Sequence, residues 1–238
     1  MNQRYVAKTD VGRQRHHNED SVLATELQNG AVLLAVADGM GGHTAGDVAS
    51  KIAIETLQKN LIDVSADADS EWRTRLEKAI TAANSAVLEQ QDEHEDMGTT
   101  LIVAIIDGGT AIVGNVGDSR AYGITPSNIE QISVDQSLVQ QLVEEGHIDE
   151  EEAEDHPQRN IISQALGRDV EVDPDLYQVS DVDVVLLCSD GLTEEVDANT
   201  IHKCTVTAST YKQAAIELIS TANENGGSDN ISVVIGDV

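Results

Sequence analysis

The sequence predicts an α+β protein in which antiparallel sheets are covered by helices. Three observations carry this. Short apolar segments come in pairs separated by brief turns that contain glycine, the pattern of hairpins. Longer segments between the pairs repeat apolar residues at three- and four-residue spacing, the pattern of amphipathic helices. No glycine-rich phosphate loop opens a helix after the first strand, so a βαβ Rossmann unit does not fit.

The elements follow in order. Residues 21–27 and 31–37 flank Gln28-Asn29-Gly30 and form the first hairpin. A helix over 45–61 places Val48, Ile52, Leu57 and Leu61 near one face, and a second over 71–91 does the same with Trp72, Leu76, Ile80, Ala83 and Val87. The next hairpin joins 101–106 to 111–116 across Asp107-Gly108-Gly109. Residues 137–157 stand apart: a short amphipathic helix at 137–145, then Gly146 and a very acidic stretch at 149–155. On composition this is a solvated helical hairpin or a small mobile lid. Buried strands follow at 183–188 and 231–235. Between them a helix over 210–225 carries Tyr211, Ala214, Leu218 and Ala222 and stops at Gly226-Gly227. No proline- or glycine-rich linker and no internal repeat divides the 238 residues, which suffice for one large domain spanning 1–238.

Composition narrows the function. Hydrophobic residues make up 40%, as a packed core requires. The longest purely apolar run, 31–37, is too short to span a bilayer. Met1-Asn2-Gln3-Arg4-Tyr5 lacks the apolar stretch of a signal peptide, so a cytoplasmic location is expected. Asp and Glu number 43 against 14 Lys and Arg, a net charge of -29 that repels nucleic acid and anionic membranes. The acids are spread along the whole chain and phenylalanine is absent. This reads as adaptation to a salt-rich cytoplasm, where the Debye length falls to about 3 Å at 1 M. Cys188 sits in an apolar run and reads as core. Six residues after Cys188 and Cys204 stand Glu194 and Thr210, not arginine, which argues against a thiolate phosphatase loop.

Two segments share one design. The 31–37 strand ends in Asp38-Gly39, and the 183–188 strand is followed by Ser189-Asp190-Gly191. Each sets a carboxylate where a buried strand runs out, beside a residue whose missing side chain permits close approach. Asp107-Gly108, by contrast, is a plain turn. Met40-Gly41-Gly42-His43 after Asp38 holds more glycine than a hairpin needs, and Leu192-Thr193-Glu194-Glu195 after Asp190 starts a helix. Asn18-Glu19-Asp20, Gly117-Asp118-Ser119-Arg120 and Ser228-Asp229-Asn230 supply three further acids at strand edges. A single such Asp is usually a turn or cap residue. Five that converge need cations, and an all-oxygen set suits Mg²⁺ or Mn²⁺. There is no Gly-x-Ser-x-Gly elbow and no His-Glu-x-x-His spacing. Two bridged metals supply what a side-chain nucleophile otherwise would. Arg13 and Arg15, just before the first acidic cluster, provide a fork that matches phosphate oxygens.

In this order the segments resemble the PPM family of metal-dependent protein phosphatases, also called type 2C. The resemblance rests on residues 12–20, 36–43, Met97-Gly98-Thr99-Thr100, 116–120, 187–193 and Asp229-Asn230-Ile231-Ser232. It implies a four-layer α/β/β/α sandwich, two antiparallel sheets flanked by antiparallel helix pairs, with metals in a cleft at one end. It implies hydrolysis of phosphoserine and phosphothreonine in proteins by a metal-bridging water or hydroxide, in a monomer that opposes a Ser/Thr kinase. By the same resemblance Asp38 bridges two Mn²⁺ or Mg²⁺ ions, the Gly39 carbonyl ligates through water, and Asp190 and Asp229 hold the second metal. Asp20 joins the cluster directly or through water, and Asp118 helps hold a weaker third metal. Arg15 matches the phosphate-binding arginine, His43 the general acid, and 137–157 the flap. One departure is clear: Asp135-Gln136-Ser137 stands where the family often has Asp-His-Ser. Thr44 also replaces the small residue common after the histidine. Within the enzyme class the alternative is a phosphatase with one narrow protein substrate. From another class it is a non-catalytic cation-binding scaffold, against which the intact set of carboxylates argues.

Overall fold

A computed structural model describes residues 4–41, 45–62, 72–91, 96–154 and 156–238. The first half comprises β1 (Tyr5–Asp10), β2 (Ser21–Glu26), β3 (Val32–Ala37), β4 (Gly39–Met40), α1 (Ala45–Leu61), α2 (Trp72–Leu88), β5 (Gly98–Thr99), β6 (Leu101–Asp107) and β7 (Thr110–Val116). Next come β8 (Arg120–Ile124), β9 (Ile129–Gln131), α3 (Leu138–Glu144), α4 (Glu150–Glu154) and β10 (Asp175–Val179). The last are β11 (Val184–Cys188), α5 (Asp190–Thr193), α6 (Ala198–Thr207), α7 (Tyr211–Asn225) and β12 (Ile231–Asp237).

Two five-stranded antiparallel sheets stack face to face, in the orders β1-β12-β11-β8-β9 and β10-β7-β6-β3-β2. Strand alternation explains the layering. On β3, Val32, Leu34 and Val36 face the other sheet, while Leu33, Ala35 and Ala37 face α1 and α2. On β11, Val185 and Leu187 face inward, while Val184, Leu186 and Cys188 pack with α6 and α7. Strands buried on both faces must be apolar at every position, as these are. The result is the α/β/β/α arrangement, and Cys188 is core as its surroundings predict.

Helix α1 departs from its expected face. Its buried residues are Ala45, Gly46, Ala49, Ser50, Ala53, Ile54, Leu57 and Leu61, with Val48 and Ile52 only flanking the core. The reason is local. A Cβ on Gly39 would lie 2.2 Å from the Gly46 carbonyl oxygen and 2.4 Å from that of Glu19, so only small residues let the helix approach this turn. Helix α2 buries the predicted face and docks its Trp72 indole N–H on Asp107 Oδ2 at 2.9 Å. Residue 71, the expected start of that helix, lies outside the described residues. At 137–157 the chain forms α3, capped by the Ser137 hydroxyl, and then the acidic α4, with Val139 the one buried residue of α3.

Candidate metal centre

Five strand ends meet at one edge of the sandwich. Asp38 follows β3, Asp118 lies in the turn between β7 and β8, and Asp190 follows β11. Asp20 precedes β2 and Asp229 precedes β12. Hydroxyls and backbone groups knit these turns together. Thr100 Oγ1 accepts from the Asp38 N–H at 3.1 Å and lies 2.8 Å from Ser119 Oγ, joining the Asp38 turn to the Asp118 turn. Thr99 and Thr100 both donate to the Asp38 carbonyl, each at 2.9 Å. Asp20 Oδ2 accepts from Ser189 Oγ at 2.9 Å and from Ser232 Oγ at 2.6 Å. The close approach at Gly191 mirrors that at Gly39: a Cβ there would sit 2.1 Å from the Asn230 carbonyl oxygen.

Asn230 is the residue that motif reading underrated. Its side-chain oxygen accepts from the Glu19 N–H at 2.8 Å, and its amide nitrogen donates to the carbonyls of Val11 at 3.0 Å and His17 at 2.9 Å. It thereby ties the loop bearing Arg15 to the strand that begins after Asp229. An Asn beside an Asp before a strand was the available signal, but the partners are some 210 residues away in sequence. Glu195 does similar work for the neighbouring turn, accepting from the Ser228 N–H at 3.1 Å and its hydroxyl at 2.7 Å.

Electrostatics mark these carboxylates as one group. Asp20 is buried, 8% exposed, and desolvation pushes its pKa up to about 7 against the pull of its two serines, with Asp190 and Asp229 adding to the rise. Desolvation, then the charges of Asp190 and Asp135, raises Asp118 to about 7. Asp190 rises to about 6 through desolvation and the charge of Asp229. Desolvation, followed by the charges of Asp20, Asp190 and Asp118, lifts Asp38 well above the carboxylate range. Asp38 and Asp190 each bear on the other's proton affinity, as carboxyl groups in close approach do. Arg15 Nη2 meets Asp229 Oδ2 at 2.5 Å, with its own side chain 50% exposed.

The residues fit a hard divalent cation. Among the described residues, Asp20 Oδ1 and Asp190 Oδ1 are buried without a hydrogen-bond partner. An orphaned buried acceptor costs about 1–3 kcal/mol, more when charged. A cation with oxygen ligands relieves that cost and lets neighbouring carboxylates ionise together. Among the described residues, no three His, Cys, Asp or Glu side chains already stand at metal-cage spacing. The orphaned oxygens and the mutual pKa shifts are what make these residues a candidate metal centre. Asp20, Asp38, Gly39, Asp118, Asp190, Asp229 and Arg15 all come to this edge; His43 lies outside the described residues.

Comparison with known proteins identifies the family. The family model for protein phosphatase 2C matches residues 12–232. The serine/threonine phosphatase stp of Listeria monocytogenes is 39% identical over 234 residues, 96% of this chain and 93% of that protein. The crystal structure of serine/threonine phosphatase Stp1 from Staphylococcus aureus superposes with a TM-score of 0.93 at 36% identity, covering 100% of this chain and 95% of that one. The catalytic domain of PstP in complex with two manganese ions superposes at 0.86 with 38% identity, covering 98% and 97%. On a family match over most of the chain and relatives of this identity along nearly its whole length, the chain belongs to the protein phosphatase 2C family, the metal-dependent serine/threonine phosphatases that its motifs resemble.

Proposed function

We propose that the cleft holds two divalent cations, Mn²⁺ or Mg²⁺, and hydrolyses phosphoserine and phosphothreonine in protein substrates. The observation that carries this is the pair of orphaned buried oxygens, Asp20 Oδ1 and Asp190 Oδ1, inside a set of mutually repelling carboxylates. Asp38, Asp190 and Asp229 would hold the two cations, with the Gly39 carbonyl assisting and Asp20 in support, and Asp118 would help hold a weaker third ion. When bound, the cations supply an activated water and offset the charge of the phosphate.

The remaining work falls to the chain. Arg15 is half exposed and, among the described residues, held by the Asp229 carboxylate alone, so an arriving phosphate dianion competes for its fork with two oxygens at once. That competition positions the ester over the carboxylates and frees Asp229. His43 donates a proton to the leaving alkoxide. Residues 137–157 form the flap beside the cleft, and 1–238 act as one catalytic domain. Among the described residues, no helix is long and apolar enough to cross a membrane. We read the protein as a cytoplasmic monomer in phosphoprotein signalling, opposing a Ser/Thr kinase, in a salt-adapted cell. A phosphothreonine-peptide assay tests the activity: turnover is expected with Mn²⁺ and none with EDTA. Arg15→Ala should raise KM about 10-fold with Mn²⁺ binding intact, since it touches substrate rather than metal. Full turnover in EDTA overturns the reading.

A further inference from the structure

Gln136 replaces the expected histidine, and its contacts show what it does instead. Its Oε1 accepts from the Gly117 N–H at 2.9 Å and from Gln164 Nε2 at 3.1 Å. Its Nε2 donates to Asp175 Oδ2 at 2.8 Å. Chemistry fixes the orientation of the amide, because Gly117 offers only a donor there and Asp175 only an acceptor. The backbone of Gln136 adds two bonds: its N–H donates to the Gly117 carbonyl at 2.9 Å, and its carbonyl accepts from Ser163 at 2.8 Å. Gly117 is thus gripped at both its N–H and its C=O by one residue, immediately before Asp118.

The flanking residues extend the grip. Asp135 holds Arg120, two residues after Asp118, through bonds of 2.6, 2.9 and 3.0 Å. Ser137 caps α3, the first helix of the flap. Three consecutive residues therefore clamp the Asp118 turn from both sides and start the flap from the same point.

We propose that Gln136 is a positioning residue that aims Asp118 at a divalent cation by fixing Gly117, and that it joins this turn to the base of the flap. The proposal rests on the reading of Asp118 as a cation ligand. A neutral histidine also offers one acceptor and one donor, but protonation turns the acceptor into a donor. The glutamine amide keeps both roles at every pH.

Calorimetric titration of the whole protein with Mn²⁺ tests this, with thermal unfolding followed by Trp72 fluorescence as the folding control. Asp118→Ala is expected to remove the weakest Mn²⁺ binding event. Gln136→Met, close in size but without hydrogen bonds, should weaken that same event about 10–100-fold and leave the tighter events unchanged. Combining the two should add nothing beyond Asp118→Ala. Gln136→His should recover the event at pH 8. If Asp118→Ala changes the titration and Gln136→Met does not, the inference alone falls. Equal weakening of every event by Gln136→Met also overturns it, since that is general loosening. If Asp118→Ala has no effect, the reading of Asp118 fails and the inference fails with it.

Discussion

The acids of the proposed cleft and those of the proposed flap, 137–157, are the same residue types in opposite settings. In the cleft, Asp20, Asp38, Asp118 and Asp190 stand at the ends of rigid strands, with raised pKa values and two orphaned oxygens. In the flap, Glu150 and Glu151 are exposed, while Asp149 and Glu152 satisfy each other's backbone through reciprocal bonds of 2.8 and 3.0 Å. Carboxylates that cap their own helix and face water have no need of a cation. Those forced together under a β-sandwich do. Acidic content alone locates nothing; the backbone that holds the acid decides.

The sharpest break of this comparison is Asp38→Asn set against the double variant Glu150→Gln, Glu151→Gln. Losing Asp38, which would hold the proposed cations, should lower kcat by more than about 100-fold, beyond the cost typical of outer-shell changes. Mn²⁺ at 100 times its Kd should stabilise the wild type by about 2.7 kcal/mol per site, roughly 5–10 °C on a chain of this size. Asp38→Asn should lose most of that shift. The flap variant should keep both activity and shift, because its two side chains point into solvent. Equal losses in the two variants would remove the distinction between cleft and flap.

Much of this was legible in the sequence for a physical reason. The strands that build the floor of the site, β3, β6, β7, β11 and β12, are buried and announce themselves as apolar runs. The strands that were passed over are mainly edges: β1, β9 and β10 each end a sheet and keep polar residues toward water. Interior β8 was hidden by Arg120 and Gly123, the first committed to Asp135 and the second crowded by Val182. The acids were legible because each follows or precedes such a run. Their convergence was legible only through the family resemblance, since Asn230, Thr100 and Ser189 join turns that are distant in sequence. The small-residue face of α1 was likewise set by a contact, Gly39 on Gly46, that periodicity cannot register.

The second test uses protons. Asp20 and Asp118 have folded pKa values of about 7 and Asp190 about 6, all above the ordinary carboxylate value of 3.8. Between those limits the folded state binds more protons than the unfolded chain, so stability falls as pH rises. In EDTA and 1 M KCl, which screens the exposed acids, the Tm should drop by about 5 °C or more from pH 5.5 to pH 8. The flap variant should show the same drop, and Asp20→Asn a smaller one. With saturating Mn²⁺ the trend should reverse, because protons compete with the cation for the same oxygens. A Tm in EDTA that is flat or rises over this range would contradict the shifts.

The smallest expected effect belongs to the flap, and salt reveals it. A net charge of -29 on 238 residues sets many like charges within the Debye length of roughly 30 Å at 0.01 M, and their repulsion favours the expanded chain. The Tm of the metal-free protein should therefore rise steeply with KCl toward molar concentrations, where that length is about 3 Å. Glu150→Gln with Glu151→Gln removes only two of the 43 acids and changes no buried contact, so it should raise the low-salt stability by no more than about 0.5 kcal/mol. That gain should vanish at 2 M KCl. Asp38→Asn should keep nearly the whole KCl response, because its repulsion lies among close, poorly screened neighbours rather than across the surface. An identical Tm in dilute buffer and in 2 M KCl would refute salt adaptation. A loss of the KCl response in Asp38→Asn would place the repulsion in the cleft instead of on the surface.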